Sequence, residues 1–161
     1  MIAEFIADLY PNAGLLPSSP TDRAKIRFFI DTATKGLIAS TTALLFKGGS
    51  HEESLKHIDT LQNLLDPRSD GKYFVGDRIT LADATIAPFA IALANFGRPE
   101  IAPKSDGEVA KLLAALKGEK YAVFNRYSQG LVEHPTVKAT FNEVNYFARS
   151  PSTQANTTYM W

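Results

Sequence analysis

The chain has 161 residues, of which 45% are hydrophobic and 21% are charged, and it contains no cysteine. This composition is that of a folded globular domain, and the missing cysteine excludes disulfides, thiolate metal sites and cysteine nucleophiles. The 17 basic and 17 acidic residues cancel, so the net charge attracts the chain neither to nucleic acid nor to an anionic membrane and opposes self-association only weakly.

The first predicted element is a short amphipathic helix over residues 2–10. Pro11 ends it, because the residue before a proline avoids the helical region of backbone space. Residues 12–20 are rich in Pro, Gly and Ser and are predicted to be a linker. The apolar residues of the helix recur at helical spacing: Ile2, Phe5, Ile6, Leu9 and Tyr10.

A long helix is predicted over residues 21–47, with Ser19 or Thr21 as its N-cap and Gly48-Gly49 at its end. Gly36 lies inside this helix at a cost of about 1 kcal/mol relative to Ala. It either permits close packing of another helix or marks a bend. The apolar stripe of the helix contains Ile26, Phe29, Ile30, Ala33, Leu37, Thr41, Leu44 and Leu45.

A shorter helix is predicted over residues 51–65, and its polar side faces solvent. A break follows, after which residues 73–75 are predicted to be extended and to pack on the core. The buried face of the helix is predicted to contain Leu55, Ile58, Leu61 and Leu65.

The helix predicted over residues 80–96 is apolar on most sides, which is typical of a helix at the centre of a fold. Further helical segments are predicted over 109–124, interrupted near Gly118, and over 135–148. The last of these has its predicted core face at Val137, Phe141, Val144 and Ala148, with Phe147 at the edge.

No segment alternates with a period of two, so the predicted fold is all-α, a bundle of about five to seven helices. No apolar stretch is long enough to span a bilayer, and acidic residues interrupt the opening segment, unlike a secretory signal. The expected location is therefore the cytoplasm. The scattered His51, His57 and His134 predict no metal site, and the sequence has neither a phosphate-binding glycine loop nor a basic, aromatic stripe for nucleic acid.

Residues 76–83 carry the most informative motif. Thr80 is predicted to be the N-cap of the central helix, with its hydroxyl accepting from the amide of Asp83 and the Asp83 carboxylate accepting from the amide of Thr80. This is a capping box with Asp in place of Glu or Gln. Ile79 occupies the position of a hydrophobic staple, although its partner Ala84 is small. A capping box alone is common and indicates only a helix start.

In its context, however, the motif resembles the C-terminal helical domain of glutathione S-transferases, most closely fungal members of omega-like or related classes. The resemblance rests on a Tyr-Phe-Val-Gly-Asp lead at residues 73–77, the Ile-Thr-Leu-Ala-Asp motif and an Ala-rich helix that contains Pro88. Three other stretches resemble the same family, namely residues 2–11, residues 15–17 with Arg23, and residues 134–137.

This resemblance implies that the chain has three parts. Residues 1–19 would be a remnant helix and linker like the end of the family's thioredoxin-like domain, residues 20–148 the helical C-terminal domain, and residues 149–161 a tail. The capping box would serve folding, so Asp83 would be structural. The tail ends in Tyr159, Met160 and Trp161, which either fold over a pocket or fray.

The resemblance also implies a function. In this family the thioredoxin-like domain holds glutathione, and the helical domain binds a hydrophobic electrophile to which glutathione is conjugated. The chain would be the co-substrate half of such an enzyme, with glutathione as co-substrate of the intact protein. No residue here matches the family's glutathione-binding elements, so the chain alone is expected to have no catalytic residue, no cofactor and no activity. It is expected to self-associate, because an amphipathic first helix made to pack on a sheet exposes apolar residues.

The residues implied for the electrophile site are Arg23, Arg27, Phe28 and Asp31, with Thr34 beside them. Arg27 and Asp31 are four residues apart, so a simple surface ion pair is the alternative. Two other functions stay open at this point. The chain could be a non-catalytic interaction scaffold, or a glutathione-independent small-molecule binder or isomerase.

Overall fold

The structure, a computed structural model, describes residues 2–65, 72–97 and 107–141. These ranges contain eight α-helices and no strand, so the prediction of an all-α bundle is confirmed. The helices are α1 (Ile2–Leu9), α2 (Pro20–Thr32), α3 (Ala39–Phe46), α4 (His51–Gln62), α5 (Leu81–Asn95), α6 (Glu108–Leu116), α7 (Ala122–Glu133) and α8 (Pro135–Thr140).

Helix α5 lies at the centre of the fold, as its apolar sequence predicts. It packs against α1, α2 and α7. Residues on nearly every side of it are buried, among them Ile86, Phe89 and Leu93. Nine residues of α5 are buried, and complete burial of one large apolar side chain stabilises a fold by about 1.5–3 kcal/mol, so this helix contributes a large share of the core.

The long helix predicted over residues 21–47 is not regular along its length. Ser19 caps its start, because the amide of Asp22 donates to Ser19 Oγ at 3.3 Å. Between α2 and α3 the chain forms a π-helical segment, Ala33–Ile38. Gly36 lies in this segment, where an added Cβ would be 2.6 Å from Nδ1 of His57 on α4. Of the two interpretations of Gly36, close packing of another helix is therefore observed.

Helix boundaries elsewhere differ from the predictions. The helix predicted over residues 51–65 ends at Gln62. The pattern predicts a helical region only as far as residue 124, whereas α7 continues to Glu133 and buries Tyr127 and Leu131. Polar residues and Gly130 interrupt the apolar stripe of α7, so the helical periodicity of its hydrophobic residues is weak. Residues 142–161, with Val144, Phe147, Ala148 and the terminal Tyr159, Met160 and Trp161, lie outside the described residues.

Candidate functional site

Helix α1 docks on the bundle through its polar side. Ala7 is its buried residue. Glu4 accepts a hydrogen bond from Nε of Arg27 on α2 at 2.7 Å, and Asp8 forms an ion pair with Arg23 of the same helix. Ion pairs with this degree of exposure each contribute about 0–1 kcal/mol to stability. They therefore set the orientation of α1 but stabilise its docking only weakly.

The opposite side of α1 is apolar and exposed, and it is called the α1 apolar face below. Ile2 is 79% exposed, Phe5 63% and Leu9 57%. Clusters of exposed apolar side chains of this kind are typical of interaction surfaces. The face consists of Ile2, Phe5, Ile6, Leu9 and Tyr10.

A cleft of about 310 Å³ lies between α1, α2 and α5, and it is called the α1–α2–α5 cleft. Its volume is at the lower end of the range for small-molecule sites. Apolar side chains form part of its lining, namely Ala3, Leu16, Ile30 and Leu81. Polar and charged side chains complete it, namely Glu4, Arg27, Asp31, Thr34, Lys35 and Thr85.

The structure brings together only part of the predicted electrophile site. Arg27 and Asp31 line the cleft, as does Thr34. Arg23 is instead paired with Asp8, and Phe28, which is 61% exposed, does not line the cleft. The role of these residues stays a prediction.

The alternative of an Arg27–Asp31 ion pair is wrong for the described part of the chain. Arg27 pairs with Glu4, and Asp31 pairs with Lys35 at 2.7 Å. The cleft also contains Glu4, Leu16 and Leu81, which the sequence pattern does not indicate as site residues. The opposite charges of Glu4 and Arg27 and of Asp8 and Arg23 are the signals that could have suggested that α1 contacts α2.

The lining of this cleft favours binding over proton transfer. It contains no His, Cys or Tyr among the described residues, and both carboxylates, Glu4 and Asp31, are engaged by a cation. The arrangement therefore offers an apolar surface with charged and hydroxyl groups beside it, which suits a ligand with a polar edge.

The capping box lies at the start of α5 and forms a larger network than its two residues. Thr80 and Asp83 have the capping-box arrangement. The Asp83 carboxylate accepts from both the amide and the hydroxyl of Thr80 at 2.7 Å. It also accepts from the amide of Phe74 at 2.8 Å and from the Tyr127 hydroxyl at 2.9 Å. Ile79 packs against a small cluster that includes Ala87 and Val137.

The Asp83 side chain is completely buried, and this changes its acidity. Burial raises the pKa of the Asp83 carboxyl, while the hydrogen bonds from Thr80, Phe74 and Tyr127 oppose that rise. Burial and the adjacent carboxylate raise the pKa of Tyr127 well above its ordinary value, so its hydroxyl stays protonated and donates. The network joins three segments of the fold, and the rings of Phe74 and Tyr127 also contact Phe29 of α2.

A second polar contact joins α4 to α6. The Glu108 carboxylate lies 2.7 Å from Nδ1 of His51, accepts from the His51 amide at 2.9 Å and accepts from Lys111 Nζ at 2.7 Å. Hydrogen bonds from Lys111 and from the amide and ring of His51 lower the pKa of Glu108 to about 2. Glu108 therefore supplies negative charge to the N-terminus of α4, where a helix favours it.

Neither a metal site nor a membrane span was found in the ranges that the structure describes. No three His, Asp or Glu side chains there form a group that could hold an ion. Nor is any helix in those ranges long and apolar enough to cross a bilayer.

Comparison with known proteins identifies the helical region. Residues 49–129, half of the chain, match the family model described as the C-terminal domain of glutathione S-transferase. A probable glutathione S-transferase of Glycine max is 27% identical over 140 residues, which are 85% of this chain and 57% of that protein. One of Nicotiana tabacum is 30% identical over 84 residues, covering 52% of this chain and 38% of that protein.

Solved structures agree with this result. Glutathione transferase Omega 1C of Trametes versicolor is 32% identical with a TM-score of 0.78, and the match covers 90% of this chain and 61% of that one. Omega 2S of the same organism, solved in complex with 2,4-dihydroxybenzophenone, is 25% identical with a TM-score of 0.78 and is matched over 93% of this chain and 66% of that one. The predicted likeness to a C-terminal helical domain is confirmed, and the matches span between 38% and 66% of the length of these relatives.

Proposed function

The chain belongs to the glutathione S-transferase family through its C-terminal helical domain, and we propose that its α1–α2–α5 cleft binds the hydrophobic electrophile of a glutathione-conjugating protein. The observation that carries this proposal is the lining of the cleft. Leu16, Ile30 and Leu81 offer apolar surface to a ligand's rings, while Arg27 and Thr34 offer donors to its oxygen atoms.

The polar part of the lining suggests the ligand class. Arg27 and Lys35 are balanced by Glu4 and Asp31, so a neutral aromatic molecule with carbonyl or hydroxyl groups fits better than a strongly charged one. Omega 2S of Trametes versicolor was solved in complex with such a molecule, 2,4-dihydroxybenzophenone. That compound is therefore a suitable probe for this chain.

Conjugation also requires a binding site for glutathione, which the described residues do not supply. The α1 apolar face is a surface suited to contact another domain. We propose that a thioredoxin-like domain covers this face, holds glutathione near the cleft and acts in the cytoplasm. The chain by itself then binds no glutathione and catalyses no conjugation. Measurable micromolar binding of glutathione to the chain alone would contradict this part.

Calorimetric titration with 2,4-dihydroxybenzophenone tests the electrophile site. Thr34 is exposed and lines the cleft, so Thr34→Trp should fill the cleft without disturbing the core. The expected result is at least about tenfold weaker binding, equivalent to about 1.4 kcal/mol. Thr42→Trp, at an exposed position of α3 outside the lining, is the matched control and should bind like the unmodified chain. Equal affinity in all three proteins would contradict the proposed site.

The exposed α1 apolar face also favours a second candidate, a non-catalytic interaction scaffold. In that case the face would bind a protein partner while the cleft bound no small molecule. The titration separates the two functions, because a scaffold predicts no heat of binding from the probe in either the unmodified chain or its variants.

A further inference from the structure

A second cleft lies at the other end of α5, and we propose that it is a separate binding site for a small neutral aromatic molecule with one hydroxyl group. The first cleft contacts Leu81 and Thr85 at the start of this helix, whereas the second contacts Leu93 and Ala94 near its end. Nine residues of α-helix separate Thr85 from Ala94, a distance of about 13 Å along the axis. The second site is called the α5–α6–α7 cleft.

The lining of this cleft favours an apolar ligand. Its volume is about 300 Å³, which is room for a single aromatic ring with short substituents. Four of its side chains are branched and aliphatic and come from three different helices, so a ring placed there would contact apolar surface from all three. These side chains are Leu93, Leu113, Leu116 and Val132.

The polar groups of the lining favour a neutral ligand. Asn125 Nδ2 already donates to the carbonyl of Leu116 at 2.5 Å, and Gln129 Nε2 donates to Glu133 at 2.8 Å. The two charged residues of the lining, Lys117 and Glu133, have opposite sign. A charged ligand would therefore meet one repulsive group as well as one attractive group.

Ser128 supplies the group that would orient the ligand. It lines the cleft and is only 8% exposed. A buried helical serine commonly donates to a carbonyl one turn earlier, yet the structure shows no hydrogen bond of the Ser128 hydroxyl within the described ranges. The Ser128 oxygen is open to the cleft rather than sealed from solvent, so a ligand hydroxyl placed there can form a hydrogen bond with it in place of water. This proposal does not depend on the proposed function of the first cleft.

Two probes that differ only in a hydroxyl group, 4-ethylphenol and ethylbenzene, test the site by NMR titration of the ¹⁵N-labelled chain. Addition of 4-ethylphenol should shift the amide resonances of Leu113, Ser128 and Val132. Ser128→Ala should weaken 4-ethylphenol binding about 3- to 10-fold, the value of one hydrogen bond, and leave ethylbenzene binding unchanged. Shifts confined to Ile30 and Thr34 of the first cleft would overturn the proposal. An equal loss of affinity for both probes in Ser128→Ala would also overturn it.

A blocking variant provides an independent measurement. Ala94 is exposed at the cleft, so Ala94→Trp should cover it and abolish binding of both probes while the thermal unfolding midpoint is retained. Ala84→Trp places the same residue at an exposed position on the same helix outside either lining, and it should bind both probes normally. Undiminished binding to Ala94→Trp would show that the probes bind elsewhere.

Discussion

Asp83 accepts four hydrogen bonds that originate in three separate segments of the chain. The sequence predicts its contact with Thr80, because a capping box has a fixed spacing of three residues. It could not predict the contacts with Phe74 and Tyr127, which lie 9 and 44 residues away. No spacing rule links such positions: Tyr127 meets Asp83 because α7 packs against α5, and Phe74 meets it because the segment before α5 lies against the first turn of that helix. Asp83 therefore has a larger structural role than its motif indicates.

Tyr127→Phe should lower the free energy of unfolding by about 1.5–3 kcal/mol, because it removes a hydrogen bond to a completely buried carboxylate without creating a large cavity. Urea unfolding followed by circular dichroism at pH 7 measures the change. Tyr10→Phe, at an exposed tyrosine, is the control and should unfold like the unmodified chain. A loss no larger than that of the control would mean that the hydroxyl contributes nothing to stability.

Glu108 should give the fold a specific dependence on acid pH. Its pKa in the folded chain is about 2, below its ordinary value of 4.5. A lowered pKa means that the carboxylate stabilises the folded state above about pH 4.5 and that this contribution is lost as the pH falls from 4.5 towards 2. Glu108→Gln should therefore be less stable than the unmodified chain at pH 7, and the difference should shrink across this window.

Unfolding midpoints of the two proteins at a series of pH values measure that difference directly. Subtracting one curve from the other removes the contribution of the remaining acidic groups. Glu119→Gln, at an exposed residue, serves as the control for removing one surface carboxylate, and its unfolding midpoint at pH 7 should match that of the unmodified chain. A difference that stays constant from pH 7 to pH 2 would contradict the assignment of the lowered pKa to Glu108.

At the scale of whole elements, the sequence predicts a helix well when a continuous apolar stripe and a cap coincide. Helix α5 meets this condition, and in α1 the apolar stripe is bounded by Pro11 instead of a cap; both helices are observed where the pattern places them. The π-helical segment Ala33–Ile38 has no comparable signal. Its hydrogen bonds span five residues instead of the four of an α-helix, yet the apolar spacing of this stretch is helical, and only Gly36 marks the place. Tertiary contact with α4, rather than local preference, explains that segment.

Gly36→Ala should destabilise the chain even though alanine favours a helix by about 1 kcal/mol. The new Cβ would lie 2.6 Å from Nδ1 of His57, and overpacking of this kind costs about 1–3 kcal/mol. The double variant Gly36→Ala/His57→Ala should recover stability, because removing the ring makes room for the methyl group. Thermal unfolding of both variants and of His57→Ala provides the test. If the losses of stability in Gly36→Ala and His57→Ala simply add in the double variant, the new methyl group and the imidazole ring do not compete for space.

For the molecule as a whole, the two clefts and the α1 apolar face occupy different surfaces joined by α5. The family resemblance could point to Arg27, Asp31 and Thr34, which line the first cleft, because they share one side of a predicted helix that lines the electrophile site in that family. It could not indicate Leu16 or Leu81, because their position depends on how the linker crosses the start of α5. There the Leu81 amide donates to the carbonyl of Leu15 at 2.8 Å. Residues on one helix are therefore predictable as a group, whereas a cleft between elements requires the fold.

The α1 apolar face leads to a prediction at this same scale. When no other domain covers it, association of two copies removes Phe5 and Leu9 from water, and the zero net charge of the chain opposes this contact only weakly. We expect the chain to dimerise at tens of micromolar, and Phe5→Glu to shift the population to monomer. Size exclusion with light scattering measures the mass, and Phe46→Glu, at an exposed aromatic outside α1, should leave the dimer intact. A monomer at every concentration, or equal dissociation by both variants, would show that α1 is not the surface of association.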